Sequence, residues 1–176
     1  HRSSSDSKHD SLPEARPIGG GTGARGRPRP HRRSPTLESM QALVVIAHPC
    51  DDSFNHAAAR SAVRGLERAG HHVDLIDLYA DGFRAAMSLA ERLAYETDRP
   101  ILDDQVADHA NRVGKAQILV FVYPTWWSGL PAILKGWLER VLVPGVGFRF
   151  DERSGRIKPG LRQVRRIVGI STYGSP

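Results

Sequence analysis

PTWWSGLPAILKGWLERVL, residues 124–142, follows directly on the apolar run ILVFVY, residues 118–123. That run has no polar alternation, so it reads as a strand covered on both faces rather than one with a face open to water. Beyond it the apolar period changes. Leu130, Ile133, Leu134, Trp137, Leu138 and Val141 recur every three or four residues as one broad stripe, with Pro131 tolerated in the first helical turn and Pro144 and Gly145 closing the helix. A buried strand, a polar loop and an amphipathic helix in that order make the repeating unit of a parallel sheet, because a crossover helix is what returns the chain to begin a parallel neighbour.

The alternation continues in both directions. Toward the N-terminus lie a strand at Ala42–Ala47, the loop HPCDDSFN (residues 48–55) and a helix from Phe54 to Ala69. Phe54, Ala58, Ala62, Leu66 and Ala69 share one face of that helix, and Gly70 stops it. His72–Leu78 is a second strand. A short helix near Leu89–Tyr95 and a longer one at Asp103–Lys115, with Val106, Ala110 and Val113 on one face, lead to the Ile118–Tyr123 strand. After the 124–142 stretch, a loop to about Leu161 precedes a fourth strand at Val164–Ile170, and the chain ends on STYGSP. Right-handed crossovers with strand order 2-1-3-4-5 place the binding crevice at the carboxyl ends of strands one, three and four.

The residues before Met40 cannot take part in that sheet. GGGTGARGRPRPHRRS (19–34) and its surroundings are nearly free of large apolar side chains, so residues 1–39 are expected to form a disordered, basic, Arg/Pro/Gly-rich extension. Of the net charge of +6, most sits there: eight Lys and Arg against four Asp and Glu in residues 1–40, and 17 against 15 in the rest. No aromatic residue interleaves Arg25, Arg27, Arg29, Arg32 and Arg33, which argues against nucleic-acid binding. Asp6, Asp10 and Glu14 interrupt any transit-peptide pattern, and no apolar run approaches the roughly 20 residues of a membrane span. One cysteine, Cys50, excludes an intrachain disulfide and fits a reducing, cytoplasmic setting.

Three loops meet at the expected crevice. His48–Asn55 opens a helix, so unpaired backbone N–H groups and the positive end of the helix dipole face any bound anion. Ser53 fits there as a helix cap or as a phosphate ligand, the cap being the plainer reading, and His48 as a diphosphate contact or an ordinary loop histidine. Pro124, Thr125, Trp126, Trp127 and Ser128 set two adjacent indoles at a strand end, for ligand or for dimer contact. Adjacent indoles point different ways, so at most one stacks on a flat ring while the other packs into the scaffold. Ser171, Thr172, Tyr173 and Gly174 offer hydroxyls and N–H groups to a polar ligand edge. Phosphate, flat ring and polar edge together describe a flavin nucleotide. No GxxxxGK[ST] or GxSxG motif, no GxGxxG after the first strand and no metal-spaced Cys/His cluster competes, and His71-His72 reads as a solvated turn.

HPCDDSFN, PTWWSGLPAILKGWLERVL and STYGS, in that order, resemble the flavodoxin-like NAD(P)H:quinone oxidoreductases, the DT-diaphorase group and its bacterial relatives. The resemblance runs from Met40 to Pro176. It implies a doubly wound, flavodoxin-like α/β domain at residues 40–176 that lacks the fifth strand. It further implies a homodimeric flavoenzyme, with FAD usual and FMN the alternative, that takes hydride from NAD(P)H and reduces small quinones by two electrons in a ping-pong cycle. By position, His48, Ser53, Phe54 and Asn55 match the family's diphosphate loop. Pro124 to Ser128 match the loop along the isoalloxazine, and Ser171 to Gly174 the pyrimidine edge. Phe148 and Phe150 fall where eukaryotic members carry tyrosines that cover the substrate pocket from the partner subunit; with Trp126 they form the expected pocket, less two hydroxyls. No protein acid, base or nucleophile is expected. Family members continue past STYGS, and the chain begins with His1, so it is expected to be a fragment. Two rival expectations are a flavin-binding regulatory subunit, like the ancillary proteins of potassium-efflux systems, and an inactive remnant whose fourth strand is left as an open edge.

Overall fold

A computed structural model describes residues 38–151 and 153–174; residues 1–37, where the basic extension is expected, lie outside the described part. Glu38 and Ser39, assigned above to the extension, belong to the folded part: Glu38 pairs with Arg165 at 2.8 Å and Ser39 Oγ donates to the Gly70 carbonyl at 2.7 Å. The elements are β1 (Gln41–Ile46), α1 (Phe54–Arg68), β2 (His72–Asp77), α2 (Leu89–Ala94), α3 (Asp104–Lys115), β3 (Ile118–Pro124), α4 (Ala132–Val141), β4 (Phe148–Phe150), β5 (Ile157–Pro159) and β6 (Arg166–Thr172). The main sheet is parallel, in order β2-β1-β3-β6.

Alternate residues of the central strands feed two layers. Leu43, Val45, Ala47, Ile76 and Leu119 pack against Val106, Ala110 and Val113 of α3 and Leu134, Trp137 and Val141 of α4. Ala42, Val44, Ile46, Ile118, Val120 and Val122 face the other way, onto Ala58, Ala59, Ala62, Val63 and Leu66 of α1. Both layers require the strands to be apolar on both faces, which is why ILVFVY shows no alternation.

Three sequence expectations change. β6 begins at Arg166 rather than Val164, because the Val164 N–H turns back to the Leu161 carbonyl and the ladder starts where Arg166 pairs with Ile118. The same ladder carries β6 on to Thr172, paired with Pro124, so Ser171 and Thr172 are strand residues and not loop. The stretch read as loop before Leu161 holds the antiparallel pair β4–β5, too short to show a period.

The stripe on α4 also conceals a charge. Arg140 is 3% exposed, with Nε and Nη2 donating to Glu91 Oε1 (2.8 and 2.5 Å), Nη2 to Asp103 Oδ2 (3.1 Å) and Nη1 to the Arg84 carbonyl (2.5 Å). The Phe83 ring centroid lies 5.2 Å from the guanidinium carbon. Close approach makes this possible: a Cβ on Gly136 would stand 2.1 Å from the Ala85 carbonyl oxygen. Beside it, fully buried Trp137 donates its indole N–H to His109 Nδ1 at 3.0 Å. His109 is held below the usual histidine range by burial and the Arg112 charge.

Trp137→Ala should therefore cost about 3 to 5 kcal/mol, and Arg140→Met, which strands the Glu91 carboxylate, a similar amount, both read by urea unfolding. Burial alone would push the Glu91 carboxyl up, but the Ser88 hydrogen bonds and the Arg140 guanidinium outweigh it and hold it down. A depressed carboxyl contributes stability that is complete above its unfolded value, near 4.5, and lost as pH falls through the lower folded value. Acid titration of Glu91→Gln should show a shallower loss than the parent below about pH 4.5.

Candidate functional site

The carboxyl ends of β1, β3 and β6 bring the three loops together. From β3 the Thr125 N–H donates to the Thr172 carbonyl at 2.7 Å, extending the ladder by one bond. The chain then reverses: Trp126 and Gly129 exchange N–H···O bonds at 3.2 and 3.0 Å around Trp127 and Ser128, whose φ values are 50° and 59°. Positive φ at both central positions marks a type I′ turn, which favours Asn-Gly because a Cβ there meets the backbone, at roughly 1–2 kcal/mol per residue. The strained turn throws Trp127 fully into solvent (103% exposed), while Trp126 (43%) leans toward the His48 ring, 6.2 Å away between centroids. Neither indole packs into the scaffold, contrary to the expectation for one of them.

Thr125, Trp126, Trp127, Ser128, Tyr173 and Gly174 line an open cleft of about 640 Å³. Thr125, one of the lining residues, has its Oγ1 2.6 Å from Ser171 Oγ. Hydrogen bonding from Ser171 and then Thr125 holds the Tyr173 phenol below the usual tyrosine range. Pro124 ends β3, buried, and is followed by the lining residue Thr125. Phe148 and Phe150 stack edge to face, 5.7 Å apart, on the β4–β5 hairpin and do not line the cleft.

The α1 end adjoins this cleft. Ser53 is the N-cap, its Oγ accepting from the His56 N–H at 3.3 Å; the capping role left open above is filled. Phe54 and Asn55 begin the helix, so their N–H groups have no intrahelical acceptor. Phe54's ring is exposed. Asn55, buried, spends its side chain on Thr172, with Nδ2 to Oγ1 at 3.0 Å, and so ties α1 to β6. His48 Nδ1 accepts the Cys50 N–H at 3.1 Å, which leaves Nε2 as the donor of the neutral ring. His71, read as solvated, instead accepts the Met40 N–H on Nδ1 at 3.2 Å.

Two residues escaped the sequence reading. His56 sits under Ser53, with Nδ1 3.1 Å from Ser53 Oγ and Nε2 2.9 Å from Asp77 Oδ2. Asp51 completes a group whose ligand-type atoms all lie within 4.8 Å of one another. The available signal was a histidine in the first turn after an N-cap serine and an aspartate at the end of a strand. Their meeting depends on β2 lying beside β1.

The family model described as flavodoxin-like fold matches residues 40–176. An NAD(P)H:quinone oxidoreductase from Methanothermobacter marburgensis is 34% identical, superposes with a TM-score of 0.67, and is matched over 78% of this chain and 68% of its own. The chain belongs to the flavodoxin-like NAD(P)H:quinone oxidoreductase family. Among curated family members, NAD(P)H dehydrogenase [quinone] 1 of Cavia porcellus is 32% identical over 77% of this chain and 54% of its own length. A ribosyldihydronicotinamide dehydrogenase-like protein of Penicillium crustosum is also 32% identical, over 77% and 58% respectively. The chain thus spans little more than half the length of these two relatives. Among the described residues, no helix is long and apolar enough to cross a membrane.

For this family member the turn is the testable feature. Replacing Trp127-Ser128 by Asn-Gly should raise unfolding stability by about 1 kcal/mol or more by removing the left-handed strain, measured by urea denaturation. Unchanged or lower stability would show that the strain is offset locally.

Proposed function

We propose that the chain carries a flavin nucleotide, FAD in the first instance, and passes hydride from NAD(P)H to small quinones as a cytoplasmic homodimer. The observation that carries the reading is the open aromatic cleft, walled by Trp126, Trp127 and Tyr173, adjoining the N-terminus of α1 through the Trp126–His48 contact. The donor set suits such a ligand. Phe54 and Asn55 N–H groups, the His48 Nε2 and the Ser53 hydroxyl are phosphate donors, and the indoles offer apolar faces to a tricyclic ring. Thr125, Ser128, Ser171, Thr172 and the Gly174 N–H provide the polar edge.

When bound, the flavin supplies the redox chemistry, taking up hydride from a nicotinamide and delivering it to an acceptor. The protein's own residues bind and orient. The type I′ turn sets where the indoles project, and the Ser171 hydroxyl holds that of Thr125 in the cleft wall. One open cleft admits donor and acceptor in turn, which is the ping-pong order. The exposed aromatic side chains Trp127, Phe150 and Tyr173 support coverage by a second copy, with Phe148 and Phe150 approaching the partner's pocket. The resemblance carried by HPCDDSFN and PTWWSGLPAILKGWLERVL favours FAD over FMN. Free Cys50 suits the cytoplasm.

The test is flavin fluorescence quenching with FAD, FMN and riboflavin on the full chain, followed by NADH-driven quinone reduction without any membrane component. Trp126→Leu with Trp127→Leu should weaken all three ligands alike, by about 0.5 to 1.5 kcal/mol per lost stack. Unaltered riboflavin binding in that variant would overturn the placement of the ring. Mass analysis of the released cofactor distinguishes FAD from FMN, and sedimentation reads the dimer.

A further inference from the structure

Ser53, His56 and Asp77 form a hydrogen-bonded row that ends at the candidate phosphate site. Asp77 Oδ1 accepts the N–H groups of Tyr79 and Ala80, both at 3.1 Å, and its Oδ2 faces His56 Nε2 at 2.9 Å. That fixes the carboxylate. His56, 9% exposed, must donate Nε2–H to it, since an ionised carboxylate only accepts. In the neutral ring Nδ1 is then an acceptor, and its neighbour at 3.1 Å is the Ser53 hydroxyl. Ser53 therefore gives its single proton to His56, while its oxygen accepts the His56 backbone N–H. It has no proton left for an anion. When the ring is protonated, Nδ1–H donates to Ser53 Oγ, and the hydroxyl proton is free to turn outward.

We infer that His56, held by Asp77, positions the Ser53 hydroxyl so that a phosphate-bearing ligand is bound together with a proton. The inference rests on the proposed flavin-nucleotide reading and adds a residue to it. Histidine as a residue type is the side chain whose charge changes between pH 5 and 8, so a pH series across that range is what reads such a linkage. The groups around the ring are Asp77 on β2, Asp51 in the loop before α1, Ser53, and His48, whose ring centroid lies 6.3 Å away. Two histidine rings stand together here, so substitution at position 56 or 77 is what identifies the responsible one. Both His56 nitrogens are engaged in hydrogen bonds, Nδ1 with Ser53 and Nε2 with Asp77.

The experiment is binding of FAD, whose diphosphate keeps a constant charge from pH 5.5 to 8.5, with riboflavin as the phosphate-free control, by fluorescence quenching on the full chain. The FAD Kd should rise severalfold with pH, by at most about tenfold per unit for one linked proton, with riboflavin unchanged. His56→Gln should flatten the FAD profile. Asp77→Asn separates positioning from mere support: its Oδ1 stays with Tyr79 and Ala80 and its amide donates to His56 Nε2, which forces the proton to Nδ1. The Ser53 hydroxyl is then free at every pH, so FAD binding should stay as tight at pH 8.5 as at 5.5. Weaker FAD binding in both variants with the parent's pH slope retained would overturn the relay while leaving the flavin site standing. Failure of FAD and riboflavin to bind the parent at any pH would overturn both.

Discussion

β3 is paired on both edges and covered on both faces, and most of the molecule's arrangement follows from that. Such a strand leaves little room for polar side chains, so apart from Tyr123 near its end the first polar groups emerge past its carboxyl end. The parallel ladders on either side bring the ends of β1 and β6 to the same edge, since every strand runs the same way. The cleft stands where the continuous core stops.

The two sides of that edge are built differently. On the α4 side, a buried ion cluster of Arg140, Glu91 and Asp103 fastens the helix to the crossover segment through charge and close backbone approach. A buried charge with all three guanidinium nitrogens engaged is costly to disrupt, so α4 is a fixed support. The turn that leads into α4 carries opposing strain, with Trp127 and Ser128 both left-handed. Strained backbone persists where the surroundings over-determine it, and here the neighbours are a ladder bond to Thr172 and an anchored helix. Support and strain together hold the indoles out in solvent.

Side-chain pairs across the edge decide which polar groups remain available. Asn55 is committed to Thr172, and Thr125 to Ser171, so these four stiffen the junction of α1, β3 and β6. Backbone N–H groups at the start of α1, and the hydroxyl governed by His56, are what remain for an anion. Matching Ser53 and Asn55 to one motif made them look equivalent. Their environments make one a positionable donor and the other a brace.

Periodicity determined the elements of the sheet and its two-sided core, because a strand buried on both faces and an amphipathic helix leave unlike patterns in ILVFVY and in PAILKGWLERVL. The motifs also located the three loops. Burial of Arg140 was not legible, because its partners Glu91 and Asp103 lie 49 and 37 residues away in sequence and come together only through packing. Ser171 and Thr172 looked like loop by composition, yet pairing with Tyr123 and Pro124 overrode that local preference. His56 was hidden for the same reason. An ordinary surface-helix histidine becomes the link between a capping serine and an aspartate only when β2 is laid beside β1, and a hydrogen bond across 21 residues has no periodic trace in the sequence.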